Sequence, residues 1–294
     1  MKTDVFIKLF SNQYPEAEMK NDIARGFRMF HDFVAQFSRF EEQSELSRFN
    51  AGEGGAVSAE LFFLLRECAR FYALTEGIFD PSVLPILEKI GYRGSGSSGA
   101  PVMTRTGLFT QLIFDETHQS IRKPKDLLID LGGIGKGYIV DKVADELSKK
   151  YAHGIVDAGG DMRIFGGDKG QSLDYFVIDT ENPFDKAEML TTLLLSDCAV
   201  ATSGINRRQW RHGGRTYHHI IDPLRKTSAA TGIVQVTAIA PRAIEADVLA
   251  KTFLILGLPR GLQFAEANHI PALFVDTERR VTRNPLFQKY EWKA

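Results

Sequence analysis

Between residues 130 and 138 the chain sets a single lysine inside a cluster of glycines: Asp130, Gly132, Gly133, Gly135, Lys136, Gly137 and Tyr138. Glycines at this density let the main chain approach a ligand closely and take positive φ, and a lysine among them is a point charge for a phosphate. The residues before the turn, Leu127, Leu128 and Ile129, read as a buried strand. Those after it, Ile139, Val140, Val143, Ala144 and Leu147, recur at helical spacing. Strand, glycine turn and helix N-terminus together suit an anion. Neither common nucleotide fingerprint is present. Gly137 stands where a P-loop lysine is followed by Ser or Thr, and no G-x-G-x-x-G with an acidic partner at the usual distance is formed. Such a turn is also a packing device, so alone it decides nothing.

The elements that must hold this turn are legible in outline. The alternating residues 5–10 read as a first strand, and Ile23, Phe27, Phe30, Val34 and Phe37 mark one apolar face of a long helix. Ser58 stands at the N-cap of a second helix carrying Leu61, Leu64, Leu65, Cys68 and Phe71 and closed by Gly77. Strand-like runs follow at 112–114, 154–156, 175–178, 193–195, 200–201 and 234–239, then an Ala/Leu-rich helix over 244–256 and a last strand at 272–275. Strands and helices mixed without regular βαβ alternation predict an α+β protein. The Gly/Ser run at 94–99 predicts a flexible surface loop and marks a candidate boundary between two lobes.

Further segments accompany the lysine turn in a fixed succession. Ser38, Arg39 and Phe40 precede residues 44–50 (Ser-Glu-Leu-Ser-Arg-Phe-Asn), then come Gly77 to Pro81 (Gly-Ile-Phe-Asp-Pro), the lysine turn itself, and Gly159, Gly160 and Asp161. Ala201 to Gly204, His219 to Pro223 (His-Ile-Ile-Asp-Pro), and Glu245, Ala246 and Asp247 complete the set. The succession resembles the ApbE family, the FAD:protein FMN transferases, along nearly the whole chain. Even Met1, Lys2 and Thr3 are similar to the family's opening Met-Gly-Thr, with lysine for glycine.

The resemblance implies a two-lobed, T-fold-like α+β architecture around a central flavin site. It implies FAD as substrate, with Lys136 and its glycines on the anionic part and Asp130 at the strand end, where capping of the turn is an equal reading. Phe40, Ile78, Phe79, Asp80 and Ile221 match its flavin-contacting positions, although Asp80 before Pro81 is also a helix-starting turn. The chemistry is attack by a Thr or Ser hydroxyl of an acceptor flavoprotein on the FMN-side phosphorus, with loss of AMP. A neutral hydroxyl needs a base, and His219 matches the family's histidine; His218 reads as a surface or supporting residue.

Crowded phosphate charge also calls for a cation, and Mg²⁺ takes hard oxygen ligands. The resemblance places it on the Gly133 carbonyl, on Asp247, and on a threonine four residues later. That third position is Lys251 here, and Thr252 lies about 100° further round the helix. Lys251 either pairs with Asp247 in the cation's place or points away from it. Two further readings therefore stand beside the transferase: an Mg²⁺-dependent FAD pyrophosphatase, with water as acceptor, and an FAD-binding protein without turnover.

Composition excludes other classes. A net charge of −1 leaves no general footprint for nucleic acid or anionic membrane. Cys68 and Cys198 lie in apolar surroundings and read as buried free thiols. Ser203 has no G-x-S-x-G around it, and Arg207, Arg208 and Arg211 with Trp210 form a small basic patch that reads as a solvated loop, contact with phosphate or the partner protein being the alternative. With no signal peptide, lipobox or membrane span in this sequence, the expectation is a cytoplasmic protein, or an exported one whose leader has been removed. The sequence does not identify the acceptor or the oligomeric state.

Overall fold

A computed structural model describes residues 3–92 and 108–293. The Gly/Ser run at 94–99 lies outside the described residues, as do Met1 and Lys2. In order come β1 (Val5–Phe10), α1 (Glu16–Phe37), α2 (Glu45–Ala51), β2 (Gly54–Ala56), α3 (Ala59–Leu74) and α4 (Leu84–Lys89). Next are β3 (Ile113–Asp115), β4 (Ser120–Arg122), α5 (Gly135–Ser148), β5 (His153–Ala158), β6 (Asp161–Phe165), β7 (Phe176–Glu181) and β8 (Met189–Leu195). Then follow β9 (Ala199–Gly204), β10 (Gln209–His212), β11 (Arg215–His218), β12 (Ile221–Asp222) and β13 (Thr227–Ser228). The chain closes with β14 (Ile233–Ala240), α6 (Ala243–Leu256), α7 (Leu258–Ala267), β15 (Ala272–Asp276) and β16 (Val281–Arg283). Two compact units result. Among the described residues, one is built from 32–92, 108–135 and 205–230, the other from 3–31, 136–204 and 231–293.

The second unit is organised by a seven-stranded sheet in the order β1-β5-β6-β9-β14-β15-β16, antiparallel at every step. All eight residues of β14 are buried, which explains why its sequence is a nearly continuous apolar run rather than an alternation. Helix α6 packs on β9 and β14 and is buried on almost every side, as its lack of a polar face requires. Between β5 and β6, Gly159 and Gly160 both take positive φ, 68° and 92°, while Ala158 pairs with Asp161. This two-residue hairpin turn has the φ signs of type I′, which favours glycine at both positions. The turn thereby delivers Asp161 as the first residue of β6.

In the first unit, α3 buries Leu61, Leu64, Leu65, Cys68 and Phe71 as its spacing predicts, and Ser58 caps it by accepting the Leu61 N–H at 3.1 Å. Two expectations are corrected. On α1, Phe30 and Phe37 are buried and Ile23 and Val34 half-buried as the spacing predicts, but Phe27 is exposed and Phe33, outside the predicted set, is buried. Residues 127–129 form no strand. Leu127 and Ile129 are fully buried, but among the described residues no strand pairs with them: Asn50 bonds both the N–H and the C=O of Ile129 at 2.8 Å, Lys123 Nζ donates to the Leu127 carbonyl, and the Leu127 N–H turns back to the Pro124 carbonyl. An asparagine side chain presents the same donor and acceptor as a peptide, so it replaces a neighbouring strand.

Candidate functional site

The glycine turn is held from its acidic end. Asp130 receives a carboxylate-bound ion pair from Arg39 Nε at 2.6 Å, with both side chains largely buried, and its own N–H donates to the Pro81 carbonyl at 2.9 Å. Its Oδ1 also accepts the Gly132 N–H, so Asp130 does cap the turn. A Cβ on Gly132 would sit 2.6 Å from that oxygen. The glycines are needed here for close approach and not for backbone sign: Gly132, Gly135 and Gly137 do not have positive φ, contrary to expectation. The Leu131 carbonyl accepts from Ile134 and Gly135, which turns the chain directly into α5.

Around Arg39 lies an aromatic group. Its guanidinium sits 4.2 Å from the centre of the Phe40 ring and 5.1 Å from that of Tyr92, which stacks on Trp210 at 4.8 Å. Phe40 is 42% exposed and stands edge-on to Tyr92. Trp210 Nε1 donates to the Ile90 carbonyl, while Arg207, Arg208 and Arg211 are exposed. Ile78, Phe79 and Ile221 are placed differently from Phe40, because their side chains are buried. Phe79 lies edge-on to Phe71, and Ile221 packs with Ile86, Leu87 and Ile90. Asp80 is buried and caps the following turn through the Ser82 N–H at 2.8 Å.

The two neighbouring histidines have separate roles. His218 is buried, with Nε2 2.9 Å from the Ala229 carbonyl and Nδ1 accepting from the Ile220 N–H at 3.3 Å. Facing a carbonyl, Nε2 carries the proton, so the ring is a neutral brace between β11 and the segment before β14. Burial also pushes its pKa below the ordinary value of 6.5. His219 is half-buried, with Nδ1 shielded from solvent. Asp222, three residues from it in the same motif as Ile221, caps the turn between β12 and β13 by accepting from Leu224 and Arg225.

In the second unit four charges come together at the start of α5. Lys136 Nζ is ion-paired with Asp161, which is 1% exposed. Asp247, 3% exposed, accepts the Gly137 N–H on Oδ2 at 3.2 Å and has Lys251 Nζ 3.3 Å from Oδ1. Burial, with a smaller contribution from Asp247, pushes the Asp161 carboxyl up to about 6, and Lys136 opposes that shift. Gly137 allows α5 and α6 to meet, since a Cβ there would lie 2.3 Å from the Ala243 carbonyl oxygen. Asp141 belongs to none of the motifs. It is fully buried, accepts the Ala243 and Ile244 N–H groups at 2.8 and 2.9 Å, and lies within 3.6 Å of Arg163 Nε and 3.5 Å of Arg242 Nε. Its position one helical turn after Gly137, on the apolar face of α5, was the available signal. Asp141 caps α6 and so sets the height of Asp247. Arg39, Asn50 and Asp161 also have positioning roles that their motifs contain but do not explain.

The set expected to hold Mg²⁺ was Gly133, Asp247 and Lys251. A protonated lysine has no lone pair for a metal, and its ammonium lies beside one of the two oxygens that Asp247 would offer. Among the described residues no three His, Cys, Asp or Glu side chains come together as a ligand set. The donor chemistry therefore does not fit a divalent ion at Asp247.

An antiparallel sheet backed by α6, with a lysine at a glycine-rich helix start paired to a buried carboxylate, defines an α+β class of protein. The ApbE family model matches residues 1–274, and the chain belongs to the ApbE family. It is 31% identical over 261 residues to an FAD:protein FMN transferase of Vibrio cholerae, covering 84% of this chain and 77% of that protein. To the FAD:protein FMN transferase of Treponema pallidum it is 27% identical over 305 residues, covering 94% and 82%. The crystal structure of the ApbE protein from Thermotoga maritima superposes with a TM-score of 0.87 at 27% identity, over 99% of this chain and 96% of that one. The flavin transferase ApbE from Vibrio cholerae gives 0.82 at 27% identity, over the same shares.

Proposed function

We propose that this chain is an FAD:protein FMN transferase, moving FMN from FAD to a Thr or Ser hydroxyl of an acceptor protein and releasing AMP. The observation that carries this reading is the pair of lysines, Lys136 and Lys251, each held by a buried carboxylate at the start of α5. Such fixed ammonium groups favour the charge that gathers on a pyrophosphate as it is cleaved. In the proposed step the acceptor oxygen forms a bond to the FMN-side phosphorus while the bond from that phosphorus to the bridging oxygen breaks. AMP departs with the bridging oxygen, and His219 takes the hydroxyl proton. His219 suits this task because it is half-buried and separate from the brace that His218 forms. No step is assigned to Mg²⁺.

The test is incubation with FAD and a candidate acceptor, read by nucleotide chromatography and intact-protein mass. AMP release together with an FMN adduct on the acceptor is the expected result. AMP without an acceptor indicates water as the acceptor, and bound, intact FAD under all conditions removes the transferase reading. Among the described residues no helix is long and apolar enough to cross a membrane.

A further inference from the structure

We propose that Lys251 is a built-in counter-cation at Asp247, so that this chain holds the pyrophosphate of FAD with two lysine ammonium groups and without a divalent ion. The inference rests on the FAD reading above for its ligand, but its charge argument does not.

The second unit brings two carboxylates and two ammonium groups into one buried cluster, and their charges cancel. Asp247 is 3% exposed and needs a positive partner, because an unpaired buried carboxylate is strongly disfavoured. Lys251 supplies one from the same helix, one turn along and itself only 14% exposed. The other Asp247 oxygen accepts the Gly137 N–H, so both oxygens already face donors. A divalent ion arriving here would have to shed water and displace the Lys251 ammonium, against the repulsion of Lys136 nearby. Mg²⁺ sheds water reluctantly and needs near-octahedral oxygen ligands, which a lysine withholds. Gly137 seats α5 against the α6 start and Asp141 caps that start through two N–H groups, which fixes the helix that carries both Asp247 and Lys251. A diphosphate, in contrast, meets a cluster whose two cations are already in place.

The experiment compares wild type with Lys251→Thr and Lys251→Arg. Mn²⁺ alone, followed by the electron paramagnetic resonance of the free ion, reads metal uptake with no flavin present. FAD binding, followed by flavin fluorescence, is measured in EDTA and in millimolar Mg²⁺. For wild type and Lys251→Arg the expected result is no Mn²⁺ uptake and FAD affinities that agree within about twofold in the two buffers. Lys251→Thr is expected to take up one Mn²⁺ and to bind FAD about tenfold more weakly in EDTA than in Mg²⁺. One Mn²⁺ bound by wild type and lost in Asp247→Asn overturns the inference, as does a tenfold weakening of wild-type FAD binding in EDTA. If Lys251→Thr does not fold, the two wild-type measurements still decide. Wild type that binds no FAD in either buffer defeats the FAD reading, whereas the Mn²⁺ result continues to test the charge argument.

Discussion

Adjacent histidines with different surroundings make opposite predictions. If His219 accepts the proton of the acceptor hydroxyl, His219→Ala lowers transfer by roughly 10²–10⁴-fold while FAD binding is nearly unchanged. Single-turnover AMP release and flavin titration on the same preparation check both halves, and full activity would remove His219 from the step. His218→Ala has its main effect on stability, about 1–3 kcal/mol, because the Ile220 N–H and the Ala229 carbonyl lose their partner. The pH dependence follows from the direction of its shift. The folded pKa lies below the ordinary 6.5, so the stabilisation is complete above 6.5 and is lost as pH falls from there toward the depressed folded value. Urea midpoints between pH 7 and pH 5 should fall in wild type, and His218→Asn should flatten that slope. An unaltered slope in the variant would show that another group carries it.

At the scale of elements, the start of α5 and the start of α6 act as one fitting. Gly137 meets the Ala243 carbonyl, its N–H reaches Asp247, and Asp141 ties the α6 N-terminus to the same helix. Gly137→Ala forces a methyl group into main chain at 2.3 Å, which cannot yield as a flexible side chain would. The expected cost is about 1–3 kcal/mol or more, together with weaker FAD binding, because Lys136 and Asp247 move relative to one another. Thermal denaturation and flavin titration test this together. Stability and affinity both equal to wild type would mean that the two helices are not held at this distance in solution.

For the whole molecule, ligand linkage gives the broadest check. If FAD binds the folded chain and not the unfolded one, FAD at a hundred times its Kd adds about 2.7 kcal/mol of stability and raises the melting temperature. By the charge argument for Lys251, that increase is the same in EDTA. No shift with FAD over a wide concentration range would leave the flavin site without support. Both units are discontinuous in sequence, so the charged groups in each are drawn from distant parts of the chain. In the second unit, Lys136, Asp161 and Asp247 meet across 111 intervening steps of sequence, from 136 to 247.

Local rules carried much of this fold in the sequence. The N-cap at Ser58, the spacing of α3, the apolar runs of β14 and α6, and the paired glycines before Asp161 each respond to forces acting within a few residues, namely capping, burial and backbone sign. The motifs also led to Lys136, Asp247 and Lys251 as one chemical problem. What residue types could not decide was partnership. Residues 127–129 have the composition of a strand, yet Asn50 takes the place of a neighbouring strand, and no local pattern encodes a side chain 79 positions away. Asp130 was as able to cap a turn as to meet a ligand until Arg39 and Gly132 were placed beside it. Lys251 could point toward or away from Asp247 on the same helix, and the sequence allowed both. Tertiary packing chose between them, because a carboxylate buried between α5 and α6 requires a cation and Lys251, a turn away on the same helix, supplies one.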